Sequence, residues 1–172
     1  MNTVLVGFKR SPFTIANKGL LSKIRPEDIL SQVINDLIKT KNINKDDIED
    51  IIAGCAYPEG AQGYNIAKIV SFMTDMPEHV GGMTINRWCG SSMQAIHSAA
   101  GAISMNAGKV FICCGIESMT FVPINGLNYT PHPELLIDQP NVYLSMGLTA
   151  ENVAKKYNIS RKEQQDFAIL SH

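Results

Sequence analysis

Gly82-Met83-Thr84-Ile85-Asn86-Arg87-Trp88-Cys89-Gly90-Ser91-Ser92-Met93-Gln94-Ala95-Ile96-His97-Ser98-Ala99-Ala100-Gly101-Ala102-Ile103-Ser104-Met105-Asn106 is the stretch on which the fold turns. It reads as a short strand (Met83 to Asn86), a turn over Arg87 to Gly90, and a helix from about Ser91 to Met105. Cys89 stands at the entrance of that helix. The first backbone N–H groups of a helix lack partners within it, and the macrodipole adds roughly half a positive charge there. Such a place favours a thiolate over a thiol, and the thiolate is the nucleophile. From Ser91 to Met105 there is no Asp, Glu, Lys or Arg, and most side chains are Ser, Ala or Gly. A helix uncharged all round is expected to be buried all round. Gly101 costs about 1 kcal/mol against Ala within a helix, which points to tight packing there.

Outward from this stretch, apolar runs and helical periods alternate. Val4 to Phe8, Ile48 to Cys55 and Lys109 to Gly115 read as strands, the last with no polar alternation and so buried on both faces. Pro26 with Glu27 and Asp28 opens a helix whose Ile29, Leu30, Val33, Ile34, Leu37 and Ile38 form one stripe. Asn65 to Met73 is a further helix. The order β-α-β-α-β-α-β predicts an α/β fold with a mainly parallel sheet covered by helices. After Met119 the texture changes: Pro123, Pro131, Pro133 and Pro140 interrupt residues 120–145, a loop length that marks a functional segment or an excursion between domains. Helix resumes over Gly147 to Tyr157, and Ser160-Arg161-Lys162-Glu163 is a capping-box pattern opening another. The domain reading is therefore 1–119 and 120–172. The final helix reaches His172 with neither glycine nor proline to stop it, so the chain reads as cut.

Composition bounds the function. The 172 residues carry a net charge of −1 with 18% charged and 45% hydrophobic side chains, so there is a real core and no electrostatic case for nucleic acid. No apolar run approaches the ~18 residues of a membrane span, and Lys9 and Arg10 break the N-terminal run that a signal peptide would need. Cys55, Cys89, Cys113 and Cys114 lack zinc-site or disulfide-scaffold spacing, which points to a cytoplasmic home. His97 follows Cys89 by eight residues, about 12 Å along a helix, beyond the ~3 Å of a nucleophile–base hydrogen bond. His79 and His132 lie in loops and carry no assigned role.

Asn86-Arg87-Trp88-Cys89-Gly90-Ser91-Ser92-Met93-Gln94-Ala95 resembles the acyl-enzyme motif of the thiolases, in the form found in bacterial fatty-acid-oxidation 3-ketoacyl-CoA thiolases. Lys9-Arg10-Ser11-Pro12-Phe13, Gly63-Tyr64-Asn65-Ile66-Ala67-Lys68, Gly115-Ile116-Glu117-Ser118-Met119 and Met146-Gly147-Leu148-Thr149-Ala150-Glu151 are similar to further family motifs in the same order. The resemblance implies a thiolase-like half-fold with a five-stranded, mainly parallel mixed sheet, followed by the start of a loop domain. It implies Cys89 as the acyl-accepting nucleophile and Met146 as a residue lining the acyl pocket. Asn86, Glu117 and Asn65 match positions that organise the surroundings and the subunit interface. The substrates implied are acyl-CoA and CoA, with no metal, nucleotide or flavin. Assembly is implied to be a homodimer or tetramer, with a β-oxidation multienzyme subunit as a further partner. Cys114 departs from the family's usual glycine.

The family's Gly-His-Pro histidine and its second cysteine belong to its C-terminal half and are absent from these 172 residues. The chain alone is therefore expected to be inactive or poorly active. Three alternatives stay open: an acetoacetyl-CoA-forming acetyltransferase, a non-catalytic thiolase-like interaction subunit, and the condensing enzymes of fatty-acid synthesis. In the family fold the cysteine helix lies between two sheets, so a lone half leaves one side of residues 91–105 bare. Exposing roughly 400 Å² of apolar surface costs at most on the order of 10 kcal/mol, comparable to a domain's whole stability. Aggregation, or a tight complex with a complementary chain, is the expectation.

Overall fold

The computed structural model describes residues 3–172, which fall into two compact units, 3–128 and Tyr129–His172. In the first, β1 (Ile48–Gly54), β2 (Gly81–Ile85) and β3 (Val110–Gly115) form a parallel sheet of order β2-β1-β3. Ile52 sits opposite Met83 on one side and Cys113 on the other. Helices α1 (Pro26–Lys41) and α2 (Ile66–Met73) cover one face, and α3 (Ser91–Ser104) covers the other.

Side chains alternate across a strand, so β1 feeds both layers. Ile51 and Ala53 join Leu30, Ile34 and Ile38 of α1 and Ile66, Ala67 and Val70 of α2 in the larger core. Ile52 points the other way, onto Ala95 and Ala99 of α3, with Phe111 and Cys113 beside it. The near-continuous apolar run of β1 follows from cover on both faces. α1 begins on Pro26 with Glu27 and Asp28 in its first turn and ends on Asn42 in the left-handed conformation. Asn65 joins α2 to β2, its amide donating to the Gly82 carbonyl and its side-chain oxygen accepting from Thr84.

Three expectations change. The sheet has three strands among the described residues, all parallel, where the resemblance implied five in a mixed sheet. Val4 to Phe8 belongs to no strand, with Val4 71% and Phe8 90% exposed. A strand needs a ladder partner, and a cavity of about 880 Å³ separates this segment from β3, lined also by Ile29, Val33 and Leu37 of α1. β3 thus has the composition of an interior strand and the position of an edge. Lastly, α3 is not buried all round as its composition suggests but on one face only, through Ser91, Ala95 and Ala99, the bare side expected of a lone half. A Cβ on Gly101 would meet nothing within 4 Å, so close packing does not explain that glycine in this chain. One sheet covers one side of a helix, and the small residues of the other side face open space.

The texture change at Thr120 is not where the first unit ends. Val122 is fully buried, and the Glu59 carboxylate accepts the Leu127 N–H at 2.7 Å, which holds residues 120–128 to the first unit. In the second unit the loop contains a short helix the periodicity does not reveal, α4 (Pro133–Asp138), and a 3-10 turn over Pro140–Tyr143. α5 (Met146–Tyr157) is capped by the Ser145 hydroxyl, and α6 (Arg161–Ser171) carries both halves of the Ser160/Glu163 capping box. None of these helices contains a buried residue. No helix is long and apolar enough to cross a membrane, among the described residues.

Candidate active site at the entrance of α3

Two glycines bring the tip of α3 onto the sheet. A Cβ on Gly54, the last residue of β1, would collide with the Ser91 and Ser92 backbone, and one on Gly115, the last of β3, with the Ser92 hydroxyl. The helix entrance therefore lies against the C-terminal ends of two parallel strands, where open α/β sheets place their ligands. Gly90 precedes α3 and has no side chain to cap it, so the amides at that end are not satisfied by a cap.

Cys89 lies in the turn just before this end, and its side chain is exposed. The turn is heavily tied. The Asn86 side chain accepts the Trp88 N–H at 2.8 Å and donates to the Ala56 carbonyl at 2.8 Å. The Ser91 hydroxyl accepts from the Arg87 N–H at 2.9 Å and donates to the Trp88 carbonyl at 2.6 Å. The Trp88 ring meets Tyr57 edge-on at 5.3 Å. These contacts hold Trp88 at φ 48°, a left-handed conformation that an aromatic residue adopts at a cost.

A second layer lies beneath. The Glu117 carboxylate, just past β3, accepts the Ala56 N–H at 2.7 Å, the Tyr57 N–H at 3.4 Å and the Gln62 amide at 2.8 Å. Gln62 is fully buried; its amide also donates to the Tyr57 carbonyl at 2.8 Å, and its oxygen accepts the Ser118 N–H. Asn86 and Glu117, singled out by their motifs, are thus placed around the turn. Gln62 and Tyr57 are not recoverable from the sequence: a glutamine between Ala61 and Gly63 looks like any polar loop residue.

The other cysteines differ from Cys89 in setting. Burial, with the Glu117 carboxylate beside it, pushes Cys55 up to about 12. Burial pushes Cys114 up to about 12 as well, and raises Cys113. Cys113 packs on the α3 side of the sheet and donates to the Ala95 carbonyl, whereas Cys114 packs on the α1 and α2 side and donates to the Ile52 carbonyl of β1, opposite faces as adjacent strand residues must take. His97 is on the exposed face of α3, and Met146 opens α5 in the second unit with 70% of its surface exposed. No group of three or more His, Cys, Asp or Glu could hold a metal ion, among the described residues.

The family described as thiolase, N-terminal domain, matches residues 3–172. The chain belongs to the thiolase family. It is 40% identical over 169 residues to the 3-ketoacyl-CoA thiolase of Bacillus subtilis, covering 98% of this chain and 43% of that protein. The 3-ketoacyl-CoA thiolase of Aeromonas salmonicida is 37% identical over 173 residues, covering 99% and 44%. Among solved structures, a thiolase from Ascaris suum in complex with coenzyme A superposes with a TM-score of 0.75 at 28% identity, over 91% of this chain and 43% of that one. The chain therefore spans less than half the length of the thiolases it matches, and a thiolase N-terminal half-fold is what its sheet and helices build.

Proposed function

We propose that this chain supplies the acyl-accepting half of a 3-ketoacyl-CoA thiolase, with Cys89 as the nucleophile. The observation that carries the reading is the position of Cys89: an exposed thiol at a helix entrance without a side-chain cap, at the C-terminal edge of a parallel sheet. The thiolate attacks the 3-keto carbon of a 3-ketoacyl-CoA. The C2–C3 bond then breaks, the departing carbanion takes a proton to become acetyl-CoA, and the shortened acyl group stays on sulfur as a thioester. A second CoA attacks that thioester, leaves as the shortened acyl-CoA and returns the cysteine, the two-step logic of covalent catalysis with ping-pong order. Both steps place negative charge on a carbonyl oxygen, which preorganised N–H donors stabilise. Coenzyme A is a substrate here, and no bound cofactor is required.

The proton transfers need a base and an acid that the family resemblance assigns to motifs outside these residues, so the chain alone is proposed to be inactive in turnover. Met146 is proposed to line the acyl pocket. A cytoplasmic setting, a role in fatty-acid β-oxidation and a homodimeric or tetrameric assembly, with a β-oxidation multienzyme subunit as further partner, complete the reading. Assembly through the first unit is what the family resemblance suggests, with Tyr64 at 96% and Phe72 at 66% exposure as apolar side chains available to it.

The test is incubation of the chain with an acyl-CoA and peptide mapping by mass spectrometry. An acyl adduct on Cys89 that disappears in Cys89→Ser is the expected result. Adducts spread equally over Cys55, Cys113 and Cys114 would overturn it. Thiolysis measured with and without a supplied C-terminal half separates the catalytic reading from a non-catalytic interaction subunit.

A further inference from the structure

We propose that Gln62 is a positioning residue for Cys89: its buried amide fixes, through Glu117 and the Ala56–Tyr57 peptide, the turn on which the thiol stands. The proposal rests on the reading of Cys89 as the acyl acceptor. It starts from a conflict within the turn. Trp88, immediately before Cys89, sits at positive φ. Such a conformation persists only where the surroundings over-determine it. Three restraints do so: Asn86 on its N–H, Ser91 on its carbonyl and Tyr57 on its ring.

Two of those three restraints lean on the loop after β1. Asn86 is held by the Ala56 carbonyl, and Tyr57 is the ring partner. That loop has no strand to hold it past Cys55, whose N–H reaches Ile85. It is held by Glu117 on the Ala56 and Tyr57 N–H groups and by Gln62 on the Tyr57 carbonyl, which also accepts the Glu59 N–H at 2.8 Å. Gln62 also donates to Glu117 and accepts from Ser118, so one amide ties the segments after β1 and after β3 to each other. With Glu117, which also spans the two segments, it joins both ends of the network. Being fully buried, it has no water with which to replace a lost bond.

The geometry makes Gln62→Glu informative. The variant is nearly isosteric, but it replaces the donating NH₂ with an acceptor facing the Glu117 carboxylate and the Tyr57 carbonyl. The loop after β1 is then pushed from its place, and the Trp88–Cys89 turn loses two of its restraints. The readout is the second-order rate of Cys89 alkylation by iodoacetamide, followed by peptide mapping over roughly pH 6 to 9, since thiolate supply sets that rate.

The expected result in Gln62→Glu is a fall of about fivefold or a displaced pH profile at Cys89, because a loosened turn no longer holds the sulfur at the helix entrance. Ile38→Val, which loosens the core on the opposite face of the sheet, leaves both rate and profile unchanged. A folded Gln62→Glu whose Cys89 reacts within about twofold of the parent chain at every pH overturns the proposal. So does an equal loss in Ile38→Val. If Gln62→Glu fails to fold, Glu117→Gln is read by the same criteria, since it places an NH₂ against the donors it must accept from. Failure of the acyl-CoA labelling experiment would remove the assigned role of Cys89 while leaving these rates readable, so the two failures are distinguishable.

Discussion

Four cysteines in one small chain differ because their surroundings differ. Cys55 and Cys114 are pushed up to about 12 by burial, the first also by Glu117, and Cys113 is raised. A thiol at about 12 is protonated through the neutral range, so its attack on an alkylating agent stays slow until strongly alkaline pH. Cys89 is the exposed one. Limiting iodoacetamide between roughly pH 7 and 9 should modify Cys89 first and leave Cys55 and Cys114 untouched in the folded chain, as read by peptide mapping. The same shifts bear on stability. Between the ordinary value of 9.0 and about 12 the unfolded chain gives up these protons before the folded one does, so stability falls as pH rises through that window.

Among the elements, the seat of α3 decides where the thiol points. Gly54 and Gly115 both face its first turn, but with different neighbours. A methyl on Gly54 meets the Ser91–Ser92 backbone, which moves only if the helix moves. Gly54→Ala should therefore cost about 1–3 kcal/mol in urea unfolding and also change the Cys89 alkylation rate. A methyl on Gly115 meets the Ser92 hydroxyl, which turns away by rotation about χ1. Gly115→Ala should cost less than Gly54→Ala, and equal costs would contradict this account of the contact. α6 offers a separate test. Hydrogen bonds from the Ser160 side chain and N–H lower the Glu163 carboxyl below its ordinary 4.5. A lowered carboxyl stabilises above its unfolded value and loses that contribution as pH falls through the folded one. Amide protection in α6 should drop below about pH 4.5, and Ser160→Ala, which keeps the N–H and loses the hydroxyl, should shrink that pH step.

At the scale of the whole molecule, the first unit is a sheet with interior-strand chemistry at its edge and a helix with interior chemistry on its surface. β3 reads Val-Phe-Ile-Cys-Cys-Gly yet borders a cavity of about 880 Å³, and Met93 of α3 is 58% exposed. Such surface promotes association. Light scattering should show the chain self-associating, and addition of the C-terminal half of a thiolase should reduce scattering and raise the midpoint of thermal unfolding. A monodisperse monomer with a cooperative transition would contradict this. Periodicity, caps and the uncharged small-residue run made α1, α2, α3, α5, α6 and the three paired strands legible to within a few residues, because those signals are local. The Asn86–Ala95 run likewise singles out Cys89, through its resemblance to the thiolase motif. Whether Val4 to Phe8 becomes a strand was not legible, because a strand depends on what lies alongside it. The one-sided burial of α3 followed from the family resemblance and not from its composition, since burial depends on how many layers are present; the place of Gln62 was not legible, its partners being contributed by segments distant in sequence. The amino-acid sequence alone determines the helix and the cysteine at its entrance, because both are local; only the packing of loops from three parts of the chain determines what holds that sulfur in place.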